Sequence, residues 1–375
     1  MKITQVDIIP LSVPSSRPLK VGTYGELGEK LNFIMSKVYT DEGIVGYGEA
    51  PPLPPLSPES QEVIVGVLQK RIVPSILGED PFDHEGIWEK MDFVAPTYPM
   101  AKSVIDIALY DIVGKALNIP LYKFLGGGSN KKFPVVGLIG LGTTDLVVNE
   151  ARRLVSEGYK GLRLKISPGR DVELVKAVRQ EIGDDVTIRV DANQSYSKYR
   201  AIRTIRAIER YEVELVEQPT PWWDFKGLAE VAKSVDTPIM PHESLYLISD
   251  VKALIDLEAL EVLGLKVYRP GGGITSAKKL INMAQILNIP CLLHDDIELG
   301  VSLAAAAHFI VANYRNIKLK CELSGYPDWI GDEVIKTPVK IVKGFAEAPE
   351  GPGLGVELDD EKVKKYSKGI ITCKL

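Results

Sequence analysis

Two hydrophobic rhythms divide this chain. From Phe133 to about Leu323, short apolar runs alternate with longer amphipathic stretches. FPVVGLIG, GLRLKIS, VTIRVDA, VELVEQP, PIMPHES, ALEVLGLKVY, IPCLLHD and NIKLKCEL read as strands, and the segments between them as helices. Eight such alternations imply an α/β protein with a parallel sheet, because parallel neighbours need a right-handed crossover of helical length. Such a sheet most simply closes into a (β/α)8-type barrel.

Residues 1–130 follow another pattern, with strands first and a helical block after them. MKITQVDIIPLSVP alternates like a strand, and KLNFIMSKVYTDEGIVGYGEA holds two β-like runs around an Asp41, Glu42, Gly43 turn. AKSVIDIALYDIVGKALN puts Ile105, Ala108, Leu109, Ile112 and Ala116 on one face at helical spacing, with polar residues elsewhere. We therefore expect an α+β unit over 1–130, a barrel over 131–323, and a strand-like, glycine-rich segment over 324–375 that packs back on the first unit.

The 375 residues carry a net charge of -5, and KVKKYSK is the only dense basic run, so a nucleic-acid partner is not expected. VSLAAAAHFIVA is too short to cross a bilayer and reads as a buried helix; with no secretory pattern at the start, a cytoplasmic protein is expected. The 3 cysteines lack a C-x-x-C pattern, which argues against a disulfide framework or a zinc site.

In a barrel, chemistry gathers where strands end. Here Lys165, Asp191, Glu217, Glu243, Lys266, His294 and Glu322 stand at or just beyond the ends of successive strands, seven titratable groups around one mouth. A single such residue is usually just the first solvated position. Three successive strands ending in Asp, Glu and an acid or His are different, because their negative charges would crowd in a partly dry site unless a cation sat among them. Oxygen donors suit Mg2+ or Mn2+ better than zinc. A carboxylate substrate on that metal would become acidic at the neighbouring carbon, and a lysine whose pKa is lowered by a nearby cation would remove the proton to give an enediolate. Arg163, two residues before Lys165 on the same strand face, and the metal are both candidates for that cation.

DEGIVGYGEA, IALYDIVGKALNIPLYKFLGGG, RLK, RVDANQ, VEQP, HES, LKVYRPGGGIT, CELSG and GPGLGVELD together resemble the mandelate racemase and muconate-lactonizing enzyme branch of the enolase superfamily, over essentially the whole length. The resemblance implies an N-terminal capping domain, completed by the C-terminal segment, whose loops close over a Mg2+-binding barrel. It implies that Asp191 and Glu217 are metal ligands and Lys165 the base of a K-x-K motif, in which Arg163 replaces the first lysine. Lys266 matches the second lysine of the muconate-lactonizing type, while His294 stands at a racemase-like position and Glu322 resembles the eighth-strand acid. The third ligand stays open between His242 and Glu243. The preference of Mg2+ for carboxylate favours Glu243; His242 as ligand would favour Mn2+, and His242 as a hydrogen-bonding neighbour is a further reading.

Other loops offer candidate substrate contacts: Tyr24, with Arg17 and Lys20, in the glycine-containing loop at 15–30, Asn193 in RVDANQ, and Asp295 and Asp296, which would receive an ammonium or cap the next helix. PPLPPLSP reads as a second lid or a stiff connection, and RPGGGITS as a phosphate loop or a turn that glycines permit. The D-x-D of the family's dipeptide epimerases is replaced here by Cys321, Glu322 and Leu323. The expected function is a Mg2+-dependent isomerase acting next to a carboxylate, by lactonisation or by racemisation or epimerisation, as a homo-oligomer on a small carboxylate substrate without membrane or nucleic-acid partners. The alternatives are a hydroxy-acid or acid-sugar dehydratase with His294 as general acid, and a metal-bound barrel that only binds a carboxylate.

Overall fold

A four-stranded antiparallel sheet caps an eight-stranded barrel, and Lys20–Val21 pairs with Gly25–Glu26 in a small separate hairpin. This computed structural model describes residues 1–54, 56–128 and 130–375. Pro55, in the proline-rich segment, Ser129, in LGGGSN, and the side chain of Thr23 lie outside the described residues. The barrel strands are, in chain order, Lys132–Ile139, Gly161–Lys165, Thr187–Asp191, Val213–Glu217, Ile239–Met240, Leu263–Leu265, Cys291–Leu293 and Cys321–Glu322. Parallel ladders run from the fifth strand through the fourth, third, second and first to the eighth, and join the sixth to the seventh. The ring is completed by fewer contacts: the Ile239 amide donates to the Glu261 carboxylate at 2.8 Å, and the Lys318 and Leu319 amides both donate to the Cys291 carbonyl, at 3.2 and 3.3 Å.

Among the described residues seven helices separate the eight strands, from Thr144–Ser156 to Gly300–Ala312. The eighth crossover expected from the alternation is absent, because no parallel strand follows the eighth and nothing requires a helix there. Instead the chain turns under the barrel, where Phe345–Glu347 pairs antiparallel with the start of the first strand, Ala346 opposite Phe133.

The capping sheet runs in the order Ile371–Lys374, Ile3–Pro14, Lys30–Thr40, Val45–Ala50, all antiparallel, so both ends of the chain share one sheet. The hairpin turn falls at Asp41, Glu42 and Gly43, with Gly43 at φ 78°. Helix Pro99–Ala116 is not the one-sided helix its spacing suggests: Pro99 to Gly114 are all buried, Lys102, Ser103, Asp106 and Asp111 included. It lies between the sheet and the barrel, and its polar residues do the joining. Asp106 accepts from the Thr275 amide at 3.1 Å and hydroxyl at 2.6 Å, at the start of barrel helix Gly273–Ile286.

Two more cap-domain carboxylates seat on helix N-termini, where unpaired amides and the helix dipole favour an anion. Glu49 accepts from the amides of Leu299 and Ser302 at 2.8 and 3.0 Å, at the start of barrel helix Gly300–Ala312. Glu59 accepts from Met100 and Ala101 at 2.8 and 3.0 Å, and the Tyr246 hydroxyl of the barrel donates to it. These contacts fix the lid-bearing domain over the barrel mouth. The RPGGG loop belongs to the same seam: Gly271, Gly272 and Gly273 take φ of 82°, 89° and 90°, and a Cβ at Gly273 would meet the Asp106 carboxylate at 2.2 Å. With its concave side filled by Asp106 and Pro99, the loop serves the turn and holds no phosphate cradle.

The closest approach in the cap is at Gly48, where a Cβ would lie 1.8 Å from the Val104 carbonyl of the central helix. Gly48→Ala should therefore force helix and hairpin apart and cost about 1–3 kcal/mol of stability, read by urea unfolding. An unchanged midpoint would show that this seam yields without cost.

Candidate active site

Strand register sets the first half of the site. Lys165 pairs with Asp191, and Asp191 with Glu217, so the three side chains stand at one height on adjacent strands. Arg163, two residues earlier, points to the same side and reaches up beneath them. Its Nη2 donates to Asp191 Oδ2 at 2.5 Å and Glu217 Oε1 at 2.7 Å, its Nε donates to Glu217 Oε2 at 2.7 Å, and Nε lies 3.2 Å from Glu322 Oε2. Lys165 Nζ donates to the same Asp191 Oδ2 at 2.5 Å. Below, buried Arg189 pairs with Glu214 at 2.5 Å and Glu322 at 3.2 Å. No motif expectation pointed to Arg189, although a charged residue two places before a strand-end acid is the available signal.

The PHES turn is held by Gln218. Its Oε1 accepts from the His242 amide at 2.8 Å and the Ser244 amide at 3.1 Å, and its Nε2 donates to the Ser244 hydroxyl at 2.8 Å. Both side chains between these anchors face the site. Glu243 accepts from Asn193 Nδ2 at 3.3 Å, while the Asn193 amide donates to Asp191 Oδ1 at 2.8 Å. His242 has both ring nitrogens engaged: Nδ1 lies 3.1 Å from Glu217 and 3.2 Å from Glu243, and Nε2 is 2.8 Å from Arg269 Nη2. A guanidinium only donates, so Nε2 is the acceptor and Nδ1 carries the proton toward the two carboxylates. Burial, with Lys266 and Arg269 nearby, holds the His242 pKa far below its usual value.

The second half lies just beyond the ends of the sixth and seventh strands. Lys266 donates to Asp296 Oδ1, and Arg269 Nη2 lies 3.4 and 3.3 Å from the two oxygens of that carboxylate. Burial works against the Asp296 charge, but Lys266 and Arg269 hold its pKa well below the carboxylate range. Asp295 accepts from the Ser324 amide. Neither aspartate caps the next helix, whose first amides go to Glu49 and Glu333. His294 stacks on His242 with ring centroids 4.5 Å apart, and its Nε2 is 3.0 Å from Glu217 and 3.2 Å from Glu322. Burial keeps His294 neutral as well.

Glu243 shows what the donor set lacks. Burial, then the charges of Asp191 and Glu217, push its pKa above the ordinary carboxylate range. Among the described residues, the donor atoms that lie within 4.8 Å of one another belong to Glu217, His242 and His294 and to His294, Asp295 and Glu322, so Asp191 and Glu243 do not close with Glu217 into one ligand group here. The chemistry of the buried carboxylates, hard oxygen donors of which one is penalised for its charge, is nevertheless that which suits a divalent cation such as Mg2+.

The lid covers this cluster. Gly22 sits where a Cβ would meet Asn193 Cβ at 2.6 Å, and the Tyr24 hydroxyl contacts the Gln194 amide. Leu19, Val21, Leu27, Leu53 and Leu56 of the cap form one wall of a cavity whose barrel wall is Leu138, Arg163, Lys165, Asn193, His242, Asp295 and Asp296. Arg17 and Lys20 are not in that wall: they pair with Glu150 and Glu26. The space between the walls is about 20 Å³, on the order of one water molecule, so a substrate enters only if the lid moves.

Residues 4–126 match the profile described as mandelate racemase / muconate lactonizing enzyme, N-terminal domain, and residues 146–363 the profile described as enolase C-terminal domain-like. An N-succinyl-L-Arg/Lys racemase from Bacillus cereus is 31% identical over 98% of both chains, and its crystal structure superposes with a TM-score of 0.94 over the whole of each chain. Muconate cycloisomerase 1 of Rhodococcus opacus is 30% identical over 98% of this chain and 99% of that one. A dipeptide epimerase from Cytophaga hutchinsonii, solved with Mg and D-Ala-L-Val, matches at TM-score 0.91 and 26% identity over 99% and 100% of the chains. This chain belongs to the mandelate racemase/muconate-lactonizing enzyme family of the enolase superfamily. It is an isomerase of that family's type.

Arg163 joins Asp191, Glu217 and Glu322; without it Lys165 still pairs Asp191 and Arg189 still pairs Glu322, but buried Glu217 loses its hydrogen-bonded cation. Arg163→Met should cost the metal-free protein about 3–5 kcal/mol in urea unfolding with chelator present. A loss under about 1 kcal/mol would mean that these carboxylates do not depend on the guanidinium.

Proposed function

We propose that this protein is a Mg2+-dependent isomerase that removes and returns the proton next to a carboxylate, and that it acts as a racemase or epimerase of an acid with an uncharged, apolar remainder. The observation that carries the reading is the placement of two buried lysines, Lys165 on the second strand and Lys266 on the sixth, half a turn apart around an eight-stranded ring. A carbon between them presents one face to each. Asp191, Glu217 and Glu243 would hold the ion, which when bound neutralises the substrate carboxylate and makes the neighbouring C–H acidic. The C–H electron pair then moves toward the carboxylate as one lysine Nζ takes the proton, and the opposite lysine delivers a proton to the other face.

The Leu and Val wall supports the substrate class. The similar Bacillus cereus enzyme is named for cationic Arg and Lys side chains. Here, among the described residues, the lid side of the cavity offers no carboxylate, so an N-acyl or peptide derivative of a hydrophobic amino acid suits it better. Racemisation is favoured over dehydration because His294 is neutral and turned onto Glu217 and Glu322, whereas a general acid must carry a proton to a leaving hydroxide.

The ligand set is tested by Mg2+ titration calorimetry. Glu243→Gln should weaken binding by more than His242→Gln, whose effect should stay within about 10–100-fold; the reverse order would make His242 the ligand. The reaction is tested by proton NMR in D2O with N-acyl hydrophobic amino acids of each hand. Lys165→Ala and Lys266→Ala should each slow deuterium uptake by about 100-fold or more, but for opposite enantiomers. Uptake from both hands at the parental rate in either variant would remove the lysine pair from the mechanism.

A further inference from the structure

In both halves of the site, a lysine and an arginine converge on one carboxylate, but the two sets are balanced differently. Asp191 Oδ2 receives Lys165 and Arg163, and that arginine also answers Glu217 and Glu322. Asp296 receives Lys266 and Arg269. Arg269 is 1% exposed, and its other hydrogen-bond contacts are neutral: His242 Nε2 at 2.8 Å and the carbonyls of His242 and Leu245 at 3.1 and 3.5 Å; it also feels Glu243, whose charge burial disfavours. Among the described residues, two buried cations thus depend on one ion-paired anion.

Other groups facing Lys266 do not supply a second. Glu217 is engaged by Arg163, and the two histidines are neutral. Burial raises the pKa values of Asp295 and Glu298 above the carboxylate range and keeps the Tyr268 phenol, whose ring centroid is 5.7 Å from Lys266, in its neutral form. A protonated Lys266 therefore leaves an excess positive charge in a dry site, and losing its proton restores balance.

We propose that Arg269 is a positioning residue for Lys266: by holding Asp296 it denies the lysine an exclusive counter-ion and so keeps it poised to accept a proton. The direction agrees with the electrostatics, in which burial and then Arg269 lower the Lys266 pKa against the pull of Asp296. The catalytic consequence rests on the reading of Lys266 as a base; the charge-state claim does not.

The experiment is carbon-proton NMR of metal-free protein labelled at lysine Cε, titrated with pH, with the Lys266 signal assigned by its absence from Lys266→Met. Lys266 should titrate about one unit or more below the exposed lysines, rise by about one unit or more in Arg269→Gln, and stay low in Arg269→Lys, which keeps the charge. In D2O exchange, Arg269→Gln should change the ratio of the two enantiomers' rates by about tenfold at pH 7, at the expense of the hand that Lys266→Ala silences, and the ratio should recover as pH rises. Lys266 titrating with the exposed lysines in the unmodified protein overturns the proposal without any variant. So does an unshifted signal in Arg269→Gln, or a collapse in Arg269→Lys. Absence of exchange with every substrate would sink the racemase reading, while the titration would still decide the role of Arg269.

Discussion

Charge balance inside the barrel mouth is the constraint around which this protein is built. Asp191, Glu217, Glu243, Glu322 and Asp295 are buried there, together with Arg163, Lys165, Arg189, Lys266 and Arg269, and the side chain of Asp296 is 5% exposed. A buried ion without a partner costs several kcal/mol, so each of these side chains constrains where the others lie. The strands supply the arrangement: parallel register puts Lys165, Asp191 and Glu217 level with each other, and inward alternation puts Arg163 beneath them. The geometry is fixed before any substrate arrives, as electrostatic catalysis requires.

Such a cluster functions only if water is kept from it, and this gives the capping domain its purpose. The seam between the domains is joined by carboxylates seated on helix N-termini, with Glu49 crossing from the cap to a barrel helix and Glu59 receiving the barrel's Tyr246. These contacts are directional, so they orient the cap as well as attach it. The loop that carries Leu19, Val21 and Leu27 can then cover the mouth from a fixed base. Its contact at Gly22 on Asn193 brings the lid within van der Waals reach of the cluster.

The barrel and its strand-end residues were legible because burial and alternation leave period and spacing in the sequence. Lys165, Asp191, Glu217, Glu243 and Lys266 each stand where an apolar run stops. Three features were not legible. The central helix carries apolar and polar residues in a pattern that suggests one buried face, yet Asp106 and Asp111 are buried too, because their partners, Thr275 and Leu354, are more than a hundred residues away. The missing eighth helix follows from topology: no local propensity records that no further strand needs reaching. Arg269 sits in a glycine-rich turn rather than at a strand end, so spacing gave no reason to single it out.

The two walls of the cavity also divide the work of recognition. Among the described residues, the charged groups that line the cavity come from the barrel, and on the proposed reading their chemistry concerns only the reacting carbon and the atoms attached to it. The cap contributes Leu19, Val21, Leu27, Leu53 and Leu56, which touch only what lies beyond. Apolar walls discriminate weakly between similar apolar groups and strongly against charged ones, since a buried charge without a partner is penalised far more than a missing methylene. On the proposed reading, the substrate is selected by excluding charge at one end while requiring it at the other. Changes in the lid can therefore redirect such a barrel without disturbing the balance of ions beneath.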